Sequence, residues 1–155
     1  LGSGEPQFNE QLAALGRDYS DKARVFVGYN AAVAQRIYGG CDVFLMPSHF
    51  EPCGVGQMIA MRYGALPLVR ETGGLADTVA NYDDTDAERG TGFVFQWQQP
   101  EAVLGTMRWA NTTFHTRPDA WMRMQERAMR TDFSWDTSAR EYIRLYEEAQ
   151  RRHTR

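Results

Sequence analysis

The sequence predicts an α/β fold, a doubly wound parallel sheet followed by a helical tail at the carboxyl end. Three observations predict it. Short apolar runs alternate with segments of helical period along the first two thirds of the chain. Those runs are apolar throughout rather than alternating, as strands covered on both faces are. Glycine or proline stands at nearly every junction between them. A length of 155 residues suits one domain, and 43% hydrophobic with 24% charged residues excludes disorder and low-complexity sequence.

Taken in order, Phe8, Leu12 and Leu15 recur on one face of a helix that Pro6 opens and Gly16 weakens or closes. Residues 24–28, Arg-Val-Phe-Val-Gly, read as a short buried strand. Asn30 caps a helix over residues 31–38, which Gly39-Gly40 ends. Val43-Phe44-Leu45-Met46 is the next strand, residues 55–63 the next helix, closed by Gly64, and Leu66-Pro67-Leu68-Val69 another strand, although Pro67 lacks a ladder donor. A second glycine loop at Gly73-Gly74 starts a short helix through Asp77 and Val79. Asp83, Asp84, Asp86 and Glu88 form a solvated acidic loop without the glycine and spacing of a calcium site, and Phe93-Val94-Phe95 is the last strand.

The α/β part therefore covers residues 1–98 and a helical tail residues 99–155. In that tail Val103, Met107, Ala110 and Phe114 mark one apolar face. Trp121, Met124, Ala128 and Met129 mark a second, and Ala139, Tyr142, Tyr146 and Ala149 a third, with Ser134 placed to cap the last helix. These stripes are read as core or interface. His115 and His153, near helix ends, are read as surface groups.

A net charge of −3 argues against nucleic-acid and anionic-membrane partners, which require clustered basic residues. Lys22 is the only lysine among the 17 basic residues, so no second lysine is available as a phosphate-gripping group. No apolar run approaches the roughly 20 residues that span a bilayer. Cys41 and Cys53 are expected as free thiols, Cys53 partly buried in a cleft wall.

In a doubly wound sheet the ligand lies beyond the carboxyl ends of the strands. The loop after Val43–Met46 runs Ser48-His49-Phe50-Glu51-Pro52-Cys53-Gly54-Val55-Gly56-Gln57. Its glycines allow close backbone approach, and the amides of Gly54, Val55, Gly56 and Gln57 open a helix, where unpaired N–H groups and the dipole favour an anion. That describes a diphosphate seat. Glu51 just before it would repel phosphate unless it faced a neutral polyol, which suggests a nucleotide-sugar site. The plainer alternative is that Glu51 caps the helix and the glycines only allow tight packing. Thr72-Gly73-Gly74 offers similar backbone donors, with Thr72 able to cap.

Three stretches taken together closely resemble bacterial glycogen synthases and plant starch synthases. They are Ile37 through Gly54, containing Phe-Glu-Pro-Cys-Gly; Arg62-Tyr63-Gly64-Ala65-Leu66-Pro67-Leu68-Val69-Arg70; and Thr72-Gly73-Gly74-Leu75-Ala76-Asp77-Thr78-Val79. Gly92-Phe93-Val94-Phe95 and Asp132-Phe133-Ser134-Trp135 extend the similarity over nearly the whole chain. The resemblance implies the Rossmann-like second lobe of a two-lobed, GT-B type glycosyltransferase that moves glucose from ADP-glucose to the non-reducing end of an α-1,4-glucan with retention. It implies no metal and no cofactor beyond the donor itself. Glu51 would be the catalytic residue, holding glucose hydroxyls. Ser48, Cys53, Gly54, Val55, Gly56, Gln57, Thr72, Gly73 and Gly74 would line the donor cleft, and Tyr29 would stack on adenine. A cytoplasmic or plastid location follows from the same resemblance. His49 departs from the family's usual arginine, and Gly56 from a common threonine or serine. Ile59 stands where related retaining transferases carry a second glutamate that the synthases also lack.

Leu1-Gly2-Ser3-Gly4 reads as the tail of a strand and its turn, so the chain is expected to be most of the donor lobe of a longer protein. The amino-terminal lobe, which contacts the glucan acceptor, and the donor lobe's first strand would lie outside it. The fragment alone is then expected to be inactive and incompletely folded, with residues 24–28 missing a strand neighbour. Two alternatives stay open: a noncatalytic nucleotide- or glucan-binding relative, and a related transferase using UDP-glucose or another sugar nucleotide.

Overall fold

A computed structural model describes residues 1–153; the last two residues of the predicted tail, Thr154 and Arg155, lie outside the described residues. The chain forms two compact units that divide between Cys41 and Asp42, within the predicted α/β part.

In the first unit, helix α1 spans Pro6–Asp18 with proline in its opening turn. It continues through Gly16, where closure was one expectation. Helix α2 spans Ala31–Gly40, two residues longer than predicted, and Asn30 caps it as expected, its side chain accepting a hydrogen bond from the Val33 amide at 3.0 Å. The predicted strand at 24–28 is not a strand. It makes one isolated parallel bridge, Val27 with Gly2, through Gly2 N–H to Phe26 O (3.2 Å) and Gly28 N–H to Gly2 O (2.8 Å). Phe26 and Val27 stay more than 40% exposed.

The second unit holds a parallel sheet in the order β1-β2-β3, built from Val43–Met46, Leu66–Arg70 and Phe93–Phe95. Helix α3 (Gly56–Tyr63) connects β1 to β2, and α4 (Gly73–Thr78) follows β2. Alternate residues of β2 and β3 serve opposite faces. Leu66, Leu68, Phe93 and Phe95 join Met61 of α3 and the buried residues of α5 (Pro100–Thr116) and α6 (Pro118–Arg130) in the main core. Val69, with Met46 and Val94 against it, packs on Leu75 and Val79 in a smaller cluster on the other face. The central strand β2 is thus covered on both sides, as its apolar run predicts, whereas the edge strand β1 has no fully buried residue and Leu45 is exposed.

Pro67 sits in the central strand, where the sequence raised an objection. The Leu66 amide bonds Asp42 O toward β1, so by alternation the proline nitrogen faces the β3 side. The register there begins one residue later, at Leu68 opposite Phe93. Its missing donor therefore faces a position with no strand.

The helical tail packs on the sheet through α5 and α6, with Phe93 lying between Trp109 and Trp121 at ring distances of 5.0 and 5.9 Å. On α6 the predicted Trp121, Met124 and Ala128 are buried, while Met129 is exposed. On α5 the buried face is rotated from the predicted one: Ala110 and Thr113 are buried, whereas Met107 and Phe114 border a cavity of about 270 Å³. Helix α7 (Trp135–His153) buries none of its residues, so Tyr142 and Tyr146 are exposed in place of the expected core or interface packing. His115 and His153 are exposed, as read. Among the described residues no helix is long and apolar enough to cross a membrane, and no group of three or more His, Cys, Asp or Glu side chains could hold a metal.

Candidate functional site

The loop between β1 and α3 stands at the carboxyl end of the sheet, and its carbonyl groups are tied down one after another. Arg70, at the end of β2, donates from Nε to Ser48 O at 2.8 Å and from Nη2 to His49 O. The Gly74 amide donates to Glu51 O at 3.2 Å, and Gln57 Nε2 donates to Cys53 O (3.2 Å) and Gly54 O (3.0 Å).

With the carbonyls engaged, the amides that open α3 are left over. Val55 is the N-cap residue and supplies no side-chain bond. None of the Gly54, Val55, Gly56 or Gln57 amides donates a hydrogen bond within the described residues. An uncapped helix end with several free N–H groups is an anion site.

Glu51 lies in the loop that leads into this end, ahead of Pro52 and Cys53, and is half-buried. Its carboxylate makes no hydrogen bond or ion pair among the described residues, so it does not cap α3 and is free to accept bonds from a ligand. The plainer reading, in which Glu51 served as the cap, is not what the structure holds. A side chain that accepts only and has no internal donor suits hydroxyl groups.

The second glycine loop meets the first directly. A Cβ at Gly73, whose φ is +44°, would fall on Glu51 O, and one at Gly74 on Cys53 O, so only glycine permits the approach that lets Gly74 bond Glu51. Thr72 occupies the N-cap position of α4, but its hydroxyl makes no cap bond, against expectation. The structure therefore brings Ser48, Glu51, Cys53, Gly54, Val55, Gly56, Gln57, Thr72, Gly73 and Gly74 into one pair of adjoining loops. Two differ in detail from their expected surroundings. Cys53 is exposed rather than partly buried, and the Gln57 side chain is fully buried, leaving only its backbone amide to face a ligand. Both cysteines are free. Tyr29 belongs to the first unit, where it follows Gly28 and is 88% exposed.

Sequence reasoning missed Arg70 and Thr78. Thr78 accepts from Gln57 Nε2 at 3.0 Å and donates to Gly74 O at 2.5 Å.

A family model for glycosyl transferases group 1 matches residues 1–113. The chain belongs to that family. This group 1 glycosyl transferase is 49% identical over 146 residues to a glycogen synthase of Gloeobacter violaceus, covering 94% of the chain and 31% of the relative. It is 46% identical over 149 residues to a glycogen synthase of Moorella thermoacetica, covering 96% of the chain and 30% of the relative. The fold matches the catalytic domain of starch synthase IV from Arabidopsis thaliana bound to ADP and acarbose, with a TM-score of 0.83, 36% identity, and coverage of 95% of this chain and 31% of that one. The transferase chain spans about a third of the length of the proteins it matches. The expected resemblance to glycogen and starch synthases is borne out.

Proposed function

We propose that this chain is most of the donor-binding lobe of a retaining glucosyltransferase that moves glucose from ADP-glucose to the non-reducing end of an α-1,4-glucan. The observation that carries this reading is the pairing of an uncapped helix end, its amides unbonded, with a neighbouring carboxylate that has no internal partner. A diphosphate next to a sugar presents that chemistry in order: anionic oxygens for the amides of residues 54–57, then neutral hydroxyls for Glu51. A nucleotide alone would leave Glu51 facing nothing but negative charge.

In the proposed mechanism the amides hold the diphosphate of the donor and take up the charge that grows on it as the glycosidic bond breaks. Such donors are fixed before reaction, because the loop carbonyls are bonded to Arg70, Gly74 and Gln57 and the loop has little left to reorganise. Glu51 fixes the glucose ring through its hydroxyls, and the departing diphosphate accepts the acceptor hydroxyl's proton on the face it leaves. Neither step calls for a metal. Tyr29 stacks on adenine, and the acceptor glucan is met by protein outside this chain. The 155-residue chain by itself would not turn the donor over, and the full-length protein would act in the bacterial cytoplasm or a plastid stroma.

The test is glucose incorporation into glycogen by a protein carrying this lobe together with its amino-terminal one. ADP-glucose should be the better donor. Transfer from UDP-glucose at a higher kcat/KM would assign the site to another sugar nucleotide, and no transfer from either would favour a noncatalytic relative.

A further inference from the structure

We propose that the Gln57 side chain and the Thr78 hydroxyl form a latch that joins the two glycine loops into one rigid unit and thereby sets where Glu51 stands. The chemistry of the hydrogen atoms fixes its direction. Thr78 has a single hydroxyl proton, and it goes to Gly74 O at 2.5 Å, so toward Gln57 this hydroxyl acts as an acceptor. Cys53 O and Gly54 O are acceptors as well. Three acceptors converge on one group, and only the nitrogen end of the amide satisfies them: one proton is shared between the two carbonyls and the other goes to Thr78.

A consequence is visible on the opposite atom. Gln57 is fully buried, and its Oε1 has no hydrogen-bond partner. An orphaned buried carbonyl is costly, and a flipped amide would leave the three acceptors facing an oxygen instead. The loops are therefore held at the expense of one polar atom. From Thr78 the chain of contacts runs through the Gly74 peptide: its carbonyl accepts from Thr78, and its N–H donates to Glu51 O at 3.2 Å. Gln57 and Thr78 are thus positioning residues, acting on Glu51 through the Gly74 peptide.

The latch is a property of the loops whatever they bind, while its effect on glucosyl transfer rests on the donor reading above. Hydrogen exchange on the two-lobed protein, read by mass spectrometry over peptides covering residues 47–58 and 71–79, separates the two. Thr78→Val should speed exchange in both peptides together by roughly fivefold, leave residues 60–70 unchanged, and be rescued by Thr78→Ser. Faster exchange confined to residues 71–79, or no rescue by serine, overturns the latch. Should Thr78→Val fail to fold, Gln57→Glu gives the same reading. Its excess exchange over the native chain should be present at neutral pH and shrink in acid, as protonation restores one donor; an excess that ignores pH overturns the proposal. ADP added to the native chain reads the donor site independently, and no slowing of exchange at residues 53–57 would count against that reading while leaving the latch intact. In the two-lobed protein, Thr78→Val should lower kcat for ADP-glucose several-fold and weaken ADP binding by a clearly smaller factor, since the latch also holds the loop that carries the amides of residues 54–57. A loss of both in equal measure would mean that Glu51 is not what the latch positions.

Discussion

Gly74 carries two duties at once, giving its amide to Glu51 O and its carbonyl to the Thr78 hydroxyl, with no room for a Cβ against Cys53. Gly74→Ala must push one loop off the other. We expect it to destabilise the fold by about 3 kcal/mol, measured as a lower denaturation midpoint, and to weaken ADP binding as well. A second residue whose role is local is Asp132. Its carboxylate accepts from the Ser134 amide at 2.8 Å and from the Thr137 hydroxyl at 3.0 Å, and the Ser134 amide foremost holds its pKa below the ordinary carboxylate value. A carboxylate depressed in the folded state stabilises above its unfolded pKa, near 4, and loses that contribution as pH falls through the lower folded value. Melting of Asp132→Ala against the native chain should therefore differ at pH 7, with the difference shrinking as the pH falls below about 4. At this scale Glu51 and the glycines were legible because an acid and a small residue in a loop both call for explanation. The burial of the Gln57 side chain was not legible, since a glutamine at a helix start reads as a surface residue and only the neighbouring loop, 21 positions away at Thr78, makes it a core one.

Elements were legible where their own residues decided them. Helix α2 needed only Asn30, and the strands of the sheet needed only their apolar runs. Residues 24–28 have a similarly apolar run and do not form a strand, because a strand is made by its pairing and this one pairs only at the single bridge between Val27 and Gly2. The acidic segment, read as a solvated loop, is exposed but is held from α5 and α6. Trp109 Nε1 donates to Asp84 at 2.9 Å, Arg123 pairs with Glu88 at 2.9 Å, and Arg127 donates to the carbonyls of Gly90 (3.0 Å) and Arg89 (2.8 Å). Composition shows the charges but not that arginines on a helix 30 or more residues later face them. The exposed ion pair contributes little, whereas the bonds from Arg127 fix backbone. Arg127→Ala should accordingly raise proteolytic cleavage within residues 83–90 several-fold while costing about 1 kcal/mol in overall stability. Loss of overall stability without faster local cleavage would contradict that division.

For the molecule as a whole, belonging to the group 1 glycosyl transferases rests on residues 1–113, and the chain spans about a third of the glycogen synthases it resembles. The fold class was legible because each strand is a short apolar run and helical segments alternate with them, a pattern that stands whichever later helix covers the sheet. The exposure of α7 was not, since its apolar face follows the same period as that of α6 and nothing along the sequence says which face finds a partner. In the proposed mechanism Glu51 serves the reacting sugar rather than the loop. Glu51→Gln in the two-lobed protein tests this most directly, with kcat for glucosyl transfer and the dissociation constant of ADP measured side by side. Glutamine keeps the size and the backbone bond to Gly74, so kcat should fall by roughly 100-fold or more while ADP binds within about twofold of the native protein. Equal losses in kcat and ADP affinity would contradict it and make Glu51 a structural residue.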